Sequence, residues 1–194
     1  MKKFINLGKK LFPINRSLTG KGSLKTLKII KSEIPKLKIK KFNSGKKVYD
    51  WKIPDEWNVF DAYIKDKKGK KIIDFKKNNL HLVGYSEPIK KKINKKELFK
   101  HLHTLKKLPK AIPYVTSYYN KYWGFCSSYN QKKLINKNYS NKDNFEVFIN
   151  SNFKKKGYMH YGELVLRGQS KKEILISTYI CHPSMANNEL SGPL

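Results

Sequence analysis

Phe4, Leu7 and Leu11 recur at helical spacing near the start of the chain, which predicts an amphipathic helix over residues 2–11, ended by Pro13. The run Arg16-Ser17-Leu18-Thr19-Gly20-Lys21-Gly22 reads as a turn-rich connector, and Ser23 as the N-cap of the next helix. Leu24, Leu27, Ile30 and Ile34 share one face of that second helix, lysines hold the other, and Pro35 closes it. From residue 37 the period falls to two. Leu37 and Ile39 alternate with lysines, and Val48-Tyr49-Asp50-Trp51 and residues 59–64 read as strands. Asp66-Lys67-Lys68-Gly69 predicts a turn into Ile72-Ile73-Asp74-Phe75, hence a hairpin. Leu80-His81-Leu82-Val83 reads as another strand, and residues 95–105 as a helix built on Leu98, Phe99, Leu102 and Leu105. Residues 114–125 form an aromatic stretch that reads as extended and buried, and the polar residues 136–144 read as a loop between modules. Strands follow at 145–149 and 158–167. The last apolar run, Ile174-Leu175-Ile176-Ser177-Thr178-Tyr179-Ile180, is nearly continuous, as in a central strand buried on both faces.

A chain of 194 residues can hold one substantial core, or one core with a small second domain, and 13% aromatic residues exclude a disordered tail. The formal net charge of +29 raises the question of a polyanionic partner. Its composition argues against one. Arg16 and Arg167 are the only arginines, whereas side chains that read base edges or grip phosphates bidentately are preferentially Arg. Lys, Asn and Ile are abundant together, as an A- and T-rich genome produces, so no specific nucleic-acid partner is expected. Cys126 and Cys181 do not make a disulfide framework, which favours a reducing compartment. The N-terminal apolar run is too short and too interrupted for a signal peptide, and no stretch approaches the ~20 apolar residues of a membrane span. A cytoplasmic, soluble protein without a membrane partner is the expectation.

Candidate chemistry concentrates after the last apolar run, in Cys181-His182-Pro183-Ser184-Met185-Ala186-Asn187-Asn188-Glu189-Leu190-Ser191-Gly192. Open α/β sheets bind ligands where central strands leave the sheet, and His182 stands at that point. Neutral imidazole is the commonest protein ligand for zinc, and Pro183 stops the strand behind it. Asn188 and Glu189 can offer oxygen to the same cation, and Ser191-Gly192 would open a helix whose amides face the site. A histidine that merely hydrogen-bonds the next loop fits the same spacing.

These residues resemble the first metal-ligand region of the zinc exopeptidase family that includes leucyl aminopeptidases and glutamate carboxypeptidase. The chain is more similar still to a bacterial subgroup of that family. The motifs that carry this are Leu11-Phe12-Pro13-Ile14 with Arg16-Ser17-Leu18-Thr19-Gly20, then Tyr49-Asp50-Trp51-Lys52-Ile53-Pro54-Asp55-Glu56-Trp57-Asn58. They continue with Asn79-Leu80-His81-Leu82-Val83-Gly84-Tyr85-Ser86 and Ile112-Pro113-Tyr114-Val115-Thr116-Ser117-Tyr118-Tyr119. Trp123-Gly124-Phe125-Cys126 and Ser177-Thr178-Tyr179-Ile180-Cys181-His182-Pro183 complete the set.

The resemblance implies an α/β fold: an incomplete three-layer zinc-exopeptidase core interrupted by an all-β, jelly-roll-like module. On that plan residues 1–42 begin the core, 43–135 form the insert and 136–194 resume the core. It implies zinc, one or two ions, held by His182 and Asn188, and a peptide or small amide as substrate. Asn188 stands where the family has a bridging aspartate, so Glu189 is an alternative donor, and Ser184 stands where a supporting aspartate often lies behind the histidine. The glutamate base and remaining ligands would follow Leu194, so the chain resembles an N-terminal fragment, inactive alone and with an exposed sheet edge.

Other histidines are weighed against this. His101 and His103 at i, i+2 fall on different faces of the expected helix, which suits a surface role. His81 and His160 sit in strand patterns, where a satisfied, half-buried ring is the ordinary case. A Cys181–His182 nucleophilic pair is disfavoured because neighbours in a strand point to opposite faces. The Tyr/Trp-rich stretch could be a carbohydrate or peptide platform on a non-catalytic binding protein, or plain core.

Overall fold

The computed structural model describes residues 2–185, 190 and 192. They divide into two compact units: Met1–Glu56 with Phe153–Leu194, and Trp57–Asn152.

In the first unit, α1 (Lys2–Leu11) and α2 (Lys21–Glu33) form where the 3.6-residue period placed them. Of the stripe on α1, Leu11 is fully buried while Phe4 remains exposed. The cap of α2 differs from expectation. Gly20 takes the N-cap position with φ 105°, and Ser23 lies inside the first turn, where its hydroxyl donates to the Ser17 carbonyl. Glycine suits that position because a side chain disfavours positive φ. β1 (Lys38–Asn43) pairs antiparallel with β10 (Tyr158–Glu163), from Lys38↔Glu163 to Asn43↔Tyr158. α2 lies close on this ribbon at Gly162, where a Cβ would meet Leu27 Cδ2 at 3.0 Å. Leu11, Ile30, Leu37 and Leu190 form the core, with Leu7, Ile14, Ile29 and Ile180 packed against it.

Val48-Tyr49-Asp50-Trp51 is a hairpin rather than one strand. β2 (Lys47–Val48) folds back on β3 (Trp51–Lys52), and Tyr49 at the tip has φ 55°.

The second unit is built on a four-stranded sheet ordered β5-β4-β9-β6. β4 (Glu56–Lys65) and β5 (Lys71–Asp74) make the expected hairpin, with Ile64 opposite Ile73. Its turn is held by the Asp66 carboxylate, which accepts the amides of Lys68 and Lys70 at 2.9 Å each, and by Gly69 at φ 80°. β9 (Asn144–Lys154) runs antiparallel to β6 (Ile89–Asn94) and buries Phe145, Val147, Ile149 and Ser151 at period two. Each of those apolar side chains contributes roughly 1.5–3 kcal/mol of burial.

Two helices lie in this unit, one more than expected for a β-rich module. α3 (Lys95–Lys100) stops earlier than the apolar pattern suggests, and Leu102–His103 becomes strand β7, parallel to β8 (Phe125–Cys126). α4 (Tyr129–Asn138) escapes the periodicity because Ile135 is its one buried apolar residue. Its signal was the pair Ser128 and Gln131, since the serine hydroxyl accepts the Gln131 amide at 3.1 Å. The strand expected over residues 80–83 does not form: Asn79–His81 is a single 3-10 turn capped by the Asn78 side chain, and Leu82 makes one isolated bridge to Phe125.

The largest departure is residues 174–180. They enter no ladder among the described residues, and Ile174, Leu175 and Ile176 are 92%, 92% and 88% exposed. Apolar sequence becomes a buried strand only where paired edges and covering layers exist, and no described element supplies them here. Among the described residues, no helix is long and apolar enough to cross a membrane.

Candidate functional site

His182 is half-buried at the end of the exposed apolar segment. Its Nδ1 lies 3.6 Å from Cys181 Sγ, and its ring meets the Tyr179 ring edge-on with centroids 6.0 Å apart. Because residues 174–181 are not in a ladder, the opposite-face rule does not apply, and thiol and imidazole lie side by side. Ser184, two residues on, sits in the left-handed region at φ 48°, which turns the chain sharply after the buried Pro183. Asn188 and Glu189, the expected oxygen donors, lie outside the described residues, as does the full helix start at Ser191-Gly192. Gly192 itself is described: a Cβ there would meet Thr178 Oγ1 at 2.1 Å, so the chain returns onto the 174–180 segment.

The backbone of His182 is held from the other end of the sequence. Arg16, 1% exposed, donates from Nε to the His182 carbonyl at 3.1 Å and from Nη1 to the Leu11 carbonyl. Around it the connector is a dense polar knot. Ser17 donates to the Thr19 carbonyl, and Thr19 to the Asp55 carbonyl at 2.9 Å. Arg16 carried no functional expectation from the sequence; its signals were its place in the Arg16-Ser17-Leu18-Thr19-Gly20 motif and its being an arginine among 43 basic residues that are otherwise almost all lysine. Beside this loop an apolar cavity of about 350 Å³ opens between α2, β10 and residues 178–181, walled by Leu27, Ile30, Leu37, Tyr161, Gly162 and Cys181 among others.

As a zinc site the described donors are incomplete. His182 offers one imidazole and Cys181 one thiol, and among the described residues no three His, Cys, Asp or Glu side chains gather within reach of one ion. A catalytic zinc takes three protein ligands. An imidazole and a thiol are donors of the kind zinc takes, and the pair alone does not complete a site.

Of the other four histidines, three make contacts within the second unit and His160 lines the cavity beside Cys181. His81, buried, has Nδ1 2.7 Å from the Cys126 carbonyl; a carbonyl only accepts, so Nδ1 carries the proton. Burial holds its pKa below the ordinary value despite that hydrogen bond. His101 and His103 are not on a helix: His101 caps α3 and His103 lies in β7. His101 stacks on Trp123 with centroids 3.7 Å apart, and His103 Nε2 is 2.9 Å from the Tyr122 hydroxyl. Burial, then the neighbouring His101 and Lys132, lower the His103 pKa. His160, in β10, is half-buried and its pKa is also lowered by burial. The Cys126 thiol is fully buried, its pKa pushed up to about 12 by that burial, so it is inert.

Comparison with known proteins places the chain. A family model described as "Domain of unknown function (DUF4910)" matches residues 5–194. A Clostridium acetobutylicum protein named "Putative polysaccharide biosynthesis protein with aminopeptidase-like domain" is 47% identical over 188 residues, covering 96% of this chain and 42% of that protein. A crystal structure titled as that of a "putative peptidase" from the same organism superposes with a TM-score of 0.91 at 46% identity, covering 98% of this chain and 44% of the other. The chain thus spans less than half the length of these peptidase-like relatives. With nearly every residue inside the matched region, this chain belongs to the DUF4910 family.

Proposed function

We propose that this chain carries the first metal-ligand loop of a zinc-dependent, aminopeptidase-like hydrolase of peptide or small amide bonds. The observation that carries the reading is the presentation of His182: a half-buried imidazole next to a thiol, on a loop whose main chain is tied to a buried arginine. The peptidase-like relatives, at 46% and 47% identity, supply the reaction class. His182 is the proposed nitrogen ligand, and Asn188 the proposed oxygen ligand with Glu189 as its alternative. Zinc, when bound, would supply Lewis-acid chemistry to the hydrolysis. The chain's own residues bind and orient: the imidazole donates a lone pair, Arg16 holds the peptide plane behind it, and Pro183 and Ser184 direct the loop away. No described residue is assigned as the general base.

The test is metal content and hydrolysis in the protein expressed from its whole reading frame. Stoichiometric zinc, with cleavage of aminoacyl-anilides that a chelator abolishes and zinc restores, is expected. His182→Ala should lose both. A protein that purifies without zinc, takes none up and cleaves no aminoacyl amide overturns the reading.

A second reading has one observation of its own. In the second unit Trp57 stacks on Tyr85 with centroids 5.4 Å apart, and Tyr85 meets Tyr118 at a tilt with centroids 5.8 Å apart, a series running from the buried Trp57 to the exposed Tyr118. Tyr85 and Tyr118 both have positive φ, at 63° and 47°, a conformation uncommon for bulky residues. An exposed ring presented this way suits a sugar face, so a carbohydrate-binding protein with a degenerate peptidase core is the alternative. Calorimetric titration with oligosaccharides decides it, with binding lost in Tyr118→Ala.

A further inference from the structure

We infer that Arg16 is a positioning residue whose buried guanidinium fixes the main chain of His182 and thereby aims its imidazole; the inference rests on the hydrolase reading only for what the imidazole then binds. Three observations carry it. Arg16 is 1% exposed, yet it spends two donors on main-chain carbonyls: Nε on His182 and Nη1 on Leu11, at the end of α1. One side chain therefore joins segments 166 residues apart. A planar guanidinium holds its donors in a rigid fork and so fixes two carbonyls relative to one another, whereas an ammonium on a flexible stem bridges them with less directional restraint.

The second observation is the effort spent on holding Arg16 itself. Ser17, Thr19 and Ser23 donate in turn to Thr19, Asp55 and Ser17 carbonyls, so the loop carrying Arg16 is fixed on several sides. At Gly22 a Cβ would lie 1.8 Å from the Asn15 carbonyl oxygen, so only glycine lets the first turn of α2 close on this loop. The third is the surroundings of His182. The apolar segment before it lies outside any described ladder, so sheet pairing does not restrain the loop there, and the Arg16 contact is a strong restraint. Groups that orient a metal ligand from behind typically change metal affinity 10–100-fold when removed.

The experiment compares wild type, Arg16→Met, Arg16→Lys and His182→Ala in the protein from its whole reading frame. Proton NMR on the metal-free protein follows the imidazole carbon-bound protons of His182, assigned by their loss in His182→Ala, against those of His81. Zinc affinity is read separately by competition with a chromophoric chelator. Arg16→Met is expected to move the His182 signals to the position and narrow width of an unrestrained histidine while leaving His81 unchanged, and to weaken zinc about 10–100-fold. Arg16→Lys, which retains a cation able to reach one carbonyl, should recover part of both effects and guards against a methionine variant that fails to fold. His182 signals unchanged in both variants overturn the assignment of Arg16, whatever zinc does. Wild-type protein that binds zinc no better than His182→Ala overturns the hydrolase reading, while a displaced His182 signal in Arg16→Met still upholds the anchoring role.

Discussion

Strand β9 and residues 174–180 are both rich in apolar side chains, yet they end in opposite environments. β9 alternates, with Phe145, Val147 and Ile149 buried and the residues between them less so. Residues 174–180 are the more continuously apolar of the two, and their first three side chains are about as exposed as residues can be. The difference is neighbours. β9 has β4 on one edge and β6 on the other, so its amides and carbonyls are paired and one face is covered. Hydrophobicity states what a segment would gain by burial; only paired edges and a covering layer let it collect that gain.

That contrast can be broken or sharpened in order of size. Phe145→Ala, at a fully buried site, should cost about 3–5 kcal/mol in chemical denaturation followed by circular dichroism. Tyr139→Phe should cost about 1 kcal/mol in the same assay, because the Tyr139 hydroxyl donates to Asp66 Oδ2 at 2.8 Å. That bond helps keep the Asp66 carboxyl below its usual range against the effect of burial, and burial with Asp66 pushes the tyrosine up to about 12. Acidification comes next. His81 is depressed by burial in the folded state, so its contribution is present above the ordinary histidine pKa of about 6.5 and is lost as pH falls through the lower folded value. Melting temperature should therefore drop from pH 7 to pH 5, and His81→Asn should remove part of that slope. The smallest effect is the most telling. Leu175→Lys should leave stability within about 0.5 kcal/mol, as for an exposed position, and reduce self-association on sizing columns. A loss near that of Phe145→Ala would show that the segment is a paired, covered strand after all.

Much of the framework was legible. α1, α2, the β4–β5 hairpin and β9 follow from period and turn chemistry, because their signals lie within a few residues: Leu7 with Leu11, or Asp66 with the amides of its own turn. α4 was missed since a lysine- and asparagine-rich helix with one buried residue has almost no period. The helix over 95–105 was overextended because Leu102, fully packed as a strand residue in β7, also fits a helical stripe. In the site, His182 was expected at the end of a buried central strand, and no described ladder holds the segment before it. Its pairing with Cys181 was not legible, since that depended on whether the segment joined a ladder.

The amino-acid order alone determined where the chain turns, which stretches alternate, and that a histidine follows the most apolar run. Only tertiary structure decided that β9 lies between β4 and β6, that 174–176 stay exposed, and that Arg16 reaches the His182 carbonyl. The reason is range. Torsional preference and side-chain period act over one or two turns, whereas a hydrogen bond across 166 residues exists only once packing has brought its two ends together.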